Sequence, residues 1–232
     1  MKPIGWKIAL LMAGVCVVIG TLVTRHIILI WATDHSILHG YPCEPPCWEG
    51  IVPGMTTSSE AVEVIRGLSF ISQGSIYVGK VGDCGGVGWD FVLFHNGQIP
   101  NGVDWCNGVV EKIHLGVNNI NIEDVILMFG PPEAIFASQG GVPEHVNYII
   151  HILYPSQGME FMAYTEEGIS ILGAETRIGG AIFFEPMALE EYIIFKFEGI
   201  DPTDIFDSLR SWKGYGDLFR LYYSPYDRFD LR

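Results

Sequence analysis

Charge is scarce in this chain, and positive charge is scarcest. Only 17% of the 232 residues are charged, with 13 Lys and Arg against 27 Asp and Glu, a formal net charge of −14. So acidic a chain repels phosphate backbones, which argues against DNA or RNA as a partner. Signatures of phosphate binding and hydrolysis are missing too. The glycine-rich run GKVGDCGGVG (79–88) has no Gly-Lys-Ser/Thr at phosphate-loop spacing and no G-x-G-x-x-G between a strand and a helix, so it reads as a turned loop tied down by Cys84. There is no G-x-S-x-G elbow and no H-E-x-x-H helix, and Ser75 and Ser170 have no recognisable base in their sequence context. The shortage of charge is not disorder: 49% of the residues are hydrophobic, enough to bury a core in one ordinary domain or two small units that share one.

Acidic residues are absent from the first 32 positions, MKPIGWKIALLMAGVCVVIGTLVTRHIILIWA. Lys2, Lys7 and Arg25 are the only charges there, and the run from Ile8 to Thr24 carries none. That run is at the lower limit for a spanning helix, and Gly5 and Trp6 extend it if Lys7 snorkels. The excess of positive charge before the run predicts a single-pass cell-membrane protein with a cytoplasmic N-terminus and an extracytoplasmic remainder. A cleaved signal peptide is the alternative, with Ala32 at the cleavage site. Ile30 is too large for the −3 position, however, and the apolar stretch is long for a signal. Cys16 follows the bulky Val15, which does not suit a lipoprotein signal, so it reads as an apolar thiol within the membrane. The remaining 200 residues hold 10 basic and 27 acidic side chains, a charge of −17 outside the membrane.

Outside the cell, Cys43, Cys47, Cys84 and Cys106 are an even set and predict two disulfides, for which three pairings exist. Cys84 and Cys106 flank one predicted hairpin, which favours their union and leaves Cys43–Cys47 as a tight loop at the domain entrance. The competing reading is zinc: HSILHGYPCEPPC spaces His35, His39, Cys43 and Cys47 four residues apart. Pro42, Pro45 and Pro46 forbid the helix that would align them, so no metal or other cofactor is expected.

Residues 33–46 read as a proline-rich stalk, and the folded domain opens at PCWEGIVPGMTTSSEAVEVI. Trp48 is expected to pack beneath the first helix, and Pro53-Gly54 to turn the chain into it. Thr57 and Glu60 form a capping box, followed by Ala61, Val62, Ile65 and Leu68 at helical spacing, with Val64 beside them. A second helix repeats the design in NNINIEDVILMFGPPEAI: Asn121 is the N-cap, Ile122, Val125, Ile126 and Phe129 form the stripe, Gly130 is a left-handed C-cap, and Pro131-Pro132 ends it. Laying Val62 on Val125 also lays Glu60 on Glu123, an offset of 63, and WDFVLFHNGQI and IIHILYPSQGMEF look like corresponding strand–turn–strand units at an offset near 60, which predicts a diverged internal duplication. YIIHILY, MEFMAYT, GISILGAET and GAIFFEP are strand candidates. A late helix is predicted at DPTDIFDSLRSW, with Asp201 as N-cap and Ile205, Leu209 and Trp212 on its inner face.

PGMTTSSEAVEVI and IEDVILMFGPPEAI resemble the helix signatures of the small outer-membrane assembly lipoproteins of the SmpA/OmlA type, in which a G-M-T entry and a G-x-P exit bracket a helix on a short antiparallel sheet. Two such units in tandem resemble the β-lactamase-inhibitor-protein architecture. The signature is split here: Gly54-Met55-Thr56 remains in the first unit and Gly130-Pro131-Pro132 in the second. The PCWEGIVPG opening is similar to that of uncharacterised bacterial envelope proteins. The resemblance spans about residues 47–190 and implies fold; no functional residue carries over from it.

The expected architecture is therefore α+β: a membrane anchor (1–32), a stalk (33–46), two related helix-plus-antiparallel-sheet units (47–116 and 117–190), and a C-terminal strand/helix segment with an aromatic tail packing on the second unit (191–232). The expected function is non-catalytic binding or scaffolding, with a protein partner in the cell envelope and the wet faces of the sheets as recognition surface. FRLYYSPYDRFDLR offers Phe219, Arg220, Tyr222, Tyr223, Tyr226, Arg228 and Phe229 as interface residues, although docking on the chain's own sheet explains them as well. Two alternatives stand beside it. One is an extracytoplasmic hydrolase using a carboxylate pair drawn from Glu160, Glu166, Glu167, Glu175 and Glu185. The other is an inhibitor or sensor module. His95 reads as a turn residue, and strand alternation puts His151 opposite the apolar face, with no partner evident.

Overall fold

The computed structural model describes residues 12–24, 42–91, 100–117, 119–142, 145–165, 169–197 and 202–222, without the side chains of 139–147, 202–204 and 219. Residues 12–24 form helix α1, exposed throughout. Among the described residues no helix is long and apolar enough to cross a membrane, so the structure gives the expected spanning helix no support. Residues 1–11, 25–41 (with His35 and His39) and 92–99 (with His95) lie outside the description.

Two helices with the same start signal frame the domain. In α2 (Ser58–Gly67), the Thr57 side chain accepts from the Glu60 N–H while the Glu60 carboxylate accepts from the Thr57 N–H. In α3 (Ile122–Phe129), Asn121 and Asp124 make the same reciprocal pair at 3.0 Å each way. Each box satisfies two of the amides that a helix start leaves orphaned. Gly130 closes α3 at φ 80°, but its ψ of −171° leads the chain out extended, not through the expected left-handed cap.

After each helix the chain runs an antiparallel meander. The first is β1 (Tyr77–Val81), β2 (Cys84–Trp89), β3 (Asn101–Cys106) and β4 (Val109–Gly116). The second is β5 (Ala134–Val142), β6 (His145–Tyr154), β7 (Met159–Tyr164), a two-residue β8 (Ile171–Leu172) and β9 (Ile178–Phe184). β4 pairs with β9, so the meanders fuse into one eight-stranded sheet of order β1-β2-β3-β4-β9-β7-β6-β5. β8 pairs instead with a short C-terminal strand, β10 (Gly216–Asp217). The Asn107-Gly108 turn between β3 and β4 has φ 52° and 80°, the two positive values that a right-twisted two-residue hairpin requires. The first run of glycines is strand, not loop, because close approach demands it: a Cβ on Gly85 would lie 2.5 Å from the Gly79 carbonyl oxygen, and one on Gly88 would strike the Tyr77 ring.

Both helices pack on one face of this sheet. Ala61 and Ile65 of α2 and Ile122 and Val125 of α3 share a core with Val103, Ile113, Phe183, Phe161, Ile152 and Ile150. Trp48 is 4% exposed and stacks on Trp89 with centroids 5.4 Å apart, its edge toward Phe70. The N-caps shift the internal alignment by one residue. Thr57 corresponds to Asn121 and Ala61 to Val125, so Val62 matches Ile126 rather than Val125, because the cap sets which positions turn inward.

The C-terminal region differs most from expectation. α4 (Leu189–Lys196) was not foreseen, and it straddles the expected boundary at residue 190. α5 (Pro202–Ser208) ends before Trp212, which packs on the main core against Tyr222 instead of along the helix with Ile205. Ile205 and the partly buried Leu209 join a second, smaller core on the opposite sheet face, with Phe136, Leu153, Phe184, Tyr192 and Ile193. A last turn, α6 (Leu218–Leu221), carries Tyr222 into the main core.

Candidate functional site

The second core encloses the most unusual chemistry in the molecule. His151 on β6 and Glu160 on β7 are diagonal neighbours on one sheet face, since His151 pairs with Met162 and Leu153 with Glu160. Ser138 on β5 lies on the same face beyond Phe136, which sits directly opposite His151. Above them α4 presents Tyr192 and Lys196, one helical turn apart. His151 Nδ1 lies 2.6 Å from Glu160 Oε1, and the Ser138 hydroxyl lies 3.3 Å from His151 Nε2. The Lys196 ammonium donates to Glu160 Oε1 and the Tyr192 hydroxyl to Oε2. Phe136 stacks flat on the imidazole, with centroids 4.2 Å apart. The Glu160 side chain is 0% exposed, that of His151 11% and that of Lys196 17%.

Electrostatics fixes the protonation of the set. Burial pushes the Glu160 carboxyl up, but the Lys196 ammonium and the His151 hydrogen bond outweigh it and hold the carboxyl far below its usual range. Burial and then Lys196 press His151 below its ordinary value, so the ring is neutral at neutral pH. An ionised Glu160 makes Nδ1 the protonated nitrogen, which leaves Nε2 to accept from Ser138. Burial also raises the Tyr192 phenol and keeps it a donor.

Serine, histidine and carboxylate stand here in the order of a nucleophile, its base and the group that orients the base. Two features argue against that use. A general base needs a pKa near the working pH, and His151 is pushed away from it. The carboxylate that should stabilise an imidazolium is already neutralised by Lys196. What the cluster does well is join α4 to the sheet through a fully satisfied polar network.

A second feature lies on the same face at the other end of the sheet. Over β1–β3 that face carries no helix among the described residues, and it forms an open groove of about 520 Å³. Gly86, Gly88 and Gly102 form its floor, Tyr77 and Val81 one margin, and Asp104 and His114 another. Asp104 and His114 are joined at 2.9 Å. Tyr77 is 65% exposed and Val81 86%.

The structure distributes the sequence candidates widely. The disulfides are Cys43–Cys47 and Cys84–Cys106, the latter joining residues paired across β2 and β3. Because Cys43 and Cys47 are bonded to each other, neither is a thiolate free to bind zinc, and no set of three metal-ligand side chains converges among the described residues. Of the carboxylates, Glu160 meets a histidine, a lysine and a tyrosine rather than a second acid, Glu185 lies over Gly54, and Glu175 lies beside Gly173; Glu166 and Glu167 are outside the description. No carboxylate pair is assembled from the described members. Tyr222 is 0% exposed, with its hydroxyl donating to the Gly214 carbonyl, so it belongs to the core and not to an interface. Arg220 is exposed, while Tyr223, Tyr226, Arg228 and Phe229 fall outside the described residues, as does the Phe219 side chain.

Sequence reasoning missed Tyr192 and Lys196. A signal for them exists in MALEEYIIFKFEG: Leu189, Tyr192, Ile193 and Lys196 recur at helical spacing, with two acids in the first turn and a lysine in the last.

The class that fold and sites define is an α+β protein built on a large antiparallel sheet with few helices. Comparison with known proteins adds nothing to that class: no family, no curated protein and no solved structure matches the chain.

Proposed function

We propose that this chain is a membrane-anchored, extracytoplasmic binding or scaffolding protein, non-catalytic, with the open half of its outer sheet face as the recognition surface. The observation that carries the reading is the unequal cover of that face. α4 and α5 seal it over β5–β7 and β9, while over β1–β3 it is a glycine-floored groove with exposed Tyr77 and Val81 at its margin. Tyrosine beside a concave floor is the composition of a protein-recognition site, and the partner is a protein of the cell envelope.

Anchoring rests on the acid-free N-terminal run and its flanking lysines, and the extracytoplasmic side on the two disulfides. Two matching capping boxes, each followed by a meander whose last strand meets its counterpart at the β4–β9 seam, support descent from a duplicated unit. They fit the tandem resemblance to the SmpA/OmlA type. Each N-cap also bridges to the start of its own meander's last strand, Thr57 to Val109 and Asn121 to Arg177.

The test places a photo-crosslinking residue at Tyr77 or Asp104 in the full chain in its native membrane, with Glu190 on α4 as control. The same single adduct from both groove positions, absent at Glu190 and lost on Gly102→Arg, supports the reading. Adducts that do not distinguish groove from control overturn it. Carbonate extraction and N-terminal mass analysis test the anchor separately: release of a chain starting near residue 33 means cleavage.

The second reading, an acyl hydrolase, is favoured by one observation, the Ser138–His151–Glu160 spacing. A fluorophosphonate probe that labels the chain and spares Ser138→Ala would establish it in place of binding.

A further inference from the structure

Among the described residues β1 is an edge strand, and it has unusual features. All five of its residues are exposed, and three of them are Tyr77, Val78 and Val81. Edges are normally blunted by short length, proline, charged side chains (lysine above all) or a covering segment, because their free N–H and C=O groups template further pairing. β1 has no proline and one charge, Lys80. The opposite edge, β5, is occupied in part by Arg210, which exchanges two 2.9 Å backbone hydrogen bonds with Ile135.

The backbone direction along β1 follows from its turn. Gly82-Asp83 is a two-residue connection, which makes Val81–Cys84 a hydrogen-bonded pair. Alternation then turns the backbone groups of Tyr77, Gly79 and Val81 toward β2 and leaves those of Val78 and Lys80 facing outward. The Asn107 N–H donating to Asp83 O at 3.0 Å on the far side of β2 fits the same parity.

We infer that β1 pairs antiparallel with β1 of a second copy of this chain, about a two-fold axis at Gly79. The strand is self-complementary in that register. Val78 and Lys80 exchange hydrogen bonds with the partner's Lys80 and Val78, so all four outward groups of the two residues are satisfied. On the groove face Tyr77 falls opposite Val81 of the other copy, an aromatic–aliphatic pair on each side of the Gly79–Gly79 contact. On the other face Val78 falls opposite Lys80, so no like charges stand directly across from each other. Gly79 has open space around its Cβ position, so nothing on its own chain crowds the axis. A β1–β1 seam continues the sheet across the dimer and brings the two grooves to a shared margin of Tyr77 and Val81. The contact is isologous and closed, so it makes a dimer and not a fibre. Five residues per edge bury less than a standard interface, so the pairing is weak in dilute solution and strengthened where copies are concentrated together.

The register dictates the test, made on the full chain with Cys16→Ser in membranes. Gly79→Cys puts a thiol on the axis, and mild oxidation should give a covalent dimer with the native disulfides intact by peptide mapping. Tyr77→Cys and Val81→Cys alone, four residues out of register with themselves, should give little, and the two variants mixed should cross-link to each other. Independently, Val78→Glu places a carboxylate opposite Lys80 and should tighten dimerisation, whereas Val78→Lys should weaken it, each by about two- to thirtyfold for the two symmetry-related pairs. No cross-link at Gly79, equal yields at positions 77, 79 and 81, or equal effects of the two Val78 changes would each overturn the pairing. So would an adduct at Gly79 to a different protein, which would make β1 a heterologous strand acceptor. Of the groove adducts above, the one from Asp104, on β3 and two strands in from β1, reads partner binding independently of this outcome; the one from Tyr77 does not, because that side chain lies in the β1–β1 seam.

Discussion

Lys196 of α4 and Glu160 of β7 form an ion pair inside the second core, with the carboxylate wholly shielded from solvent and its remaining acceptor sites taken by His151 and Tyr192. Removing one member of such a pair is costlier than the pair is worth, because it strands a buried charge. Lys196→Met is expected to destabilise the domain by about 3–5 kcal/mol in urea unfolding. Adding Glu160→Gln should return part of that loss, since the stranded charge is then gone. If the double variant is no more stable than Lys196→Met alone, the two side chains are not coupled.

The same cluster sets a pH dependence. His151 has a folded pKa below its ordinary value of about 6.5, so the unfolded chain takes up its proton first as pH falls. Stability held above that pH is therefore lost as pH drops through 6.5 toward the lower folded value. Glu160 acts in the same direction further down: its folded pKa is depressed, so its contribution is present above the usual carboxylate range and lost as pH falls below it. The groups facing His151 are Glu160 from β7, Lys196 from α4 and Ser138 from β5. Urea midpoints should fall between pH 7 and 5 in the wild type, and His151→Gln should flatten that interval while leaving the decline below pH 4.5. An unchanged slope from 7 to 5 would remove His151 from the account.

Local signals account for much of this architecture, and non-local ones for the rest. Thr57/Glu60 and Asn121/Asp124 could be read directly, because a capping box is written within four residues. Cys84 and Cys106 flank one hairpin, so their union was legible too. The β4–β9 seam joins strands far apart in sequence, and nothing in either strand names the other. The buried cluster was hidden for a related reason. His151 looks solvent-facing in YIIHILY until α4, tens of residues later, covers that face. Glu160 stood among the candidates as a member of a carboxylate pair, and the lysine it meets lies 36 residues downstream.

Trp48 was expected beneath the first helix, and its burial against Trp89 and Phe70 makes it the anchor of the domain entrance. Trp48→Ala should cost about 3–5 kcal/mol by equilibrium unfolding, with loss of the near-ultraviolet signal of the stacked indoles. A change within about 0.5 kcal/mol, the range of an ordinary surface substitution, would mean that the ring is not core.

The Cys84–Cys106 bond closes a loop across β2 and β3 with a sequence separation of 22. In the chain-entropy account, a loop of that size contributes about 3 kcal/mol by restricting the unfolded state. The Cys84→Ser, Cys106→Ser double variant should lose about that much stability. The Cys43–Cys47 separation is only 4, so Cys43→Ser with Cys47→Ser should cost less. Thermal unfolding of the two double variants side by side decides the order. A larger loss from the short loop would put its contribution in native packing at Cys47, which is buried, and not in chain entropy.

The groove's shape depends on Tyr77 lying across Gly88, its partner in the β1–β2 register. A methyl group at position 88 would enter the volume of the phenol ring, so Gly88→Ala has to push Tyr77 off the sheet or bend the strand pair. Overpacking of this kind costs about 1–3 kcal/mol. The cost belongs to one contact, which makes it separable: in a Tyr77→Ala background the same substitution should be nearly neutral, because the open sheet face has space for a methyl group once the ring is gone. A double-mutant cycle by urea unfolding reads the difference directly. If Gly88→Ala destabilises equally with and without the tyrosine, the ring does not rest there. The groove then has a different floor, and the glycines of β2 answer to the close approach of Gly85 to Gly79 and of Gly86 to Asp104.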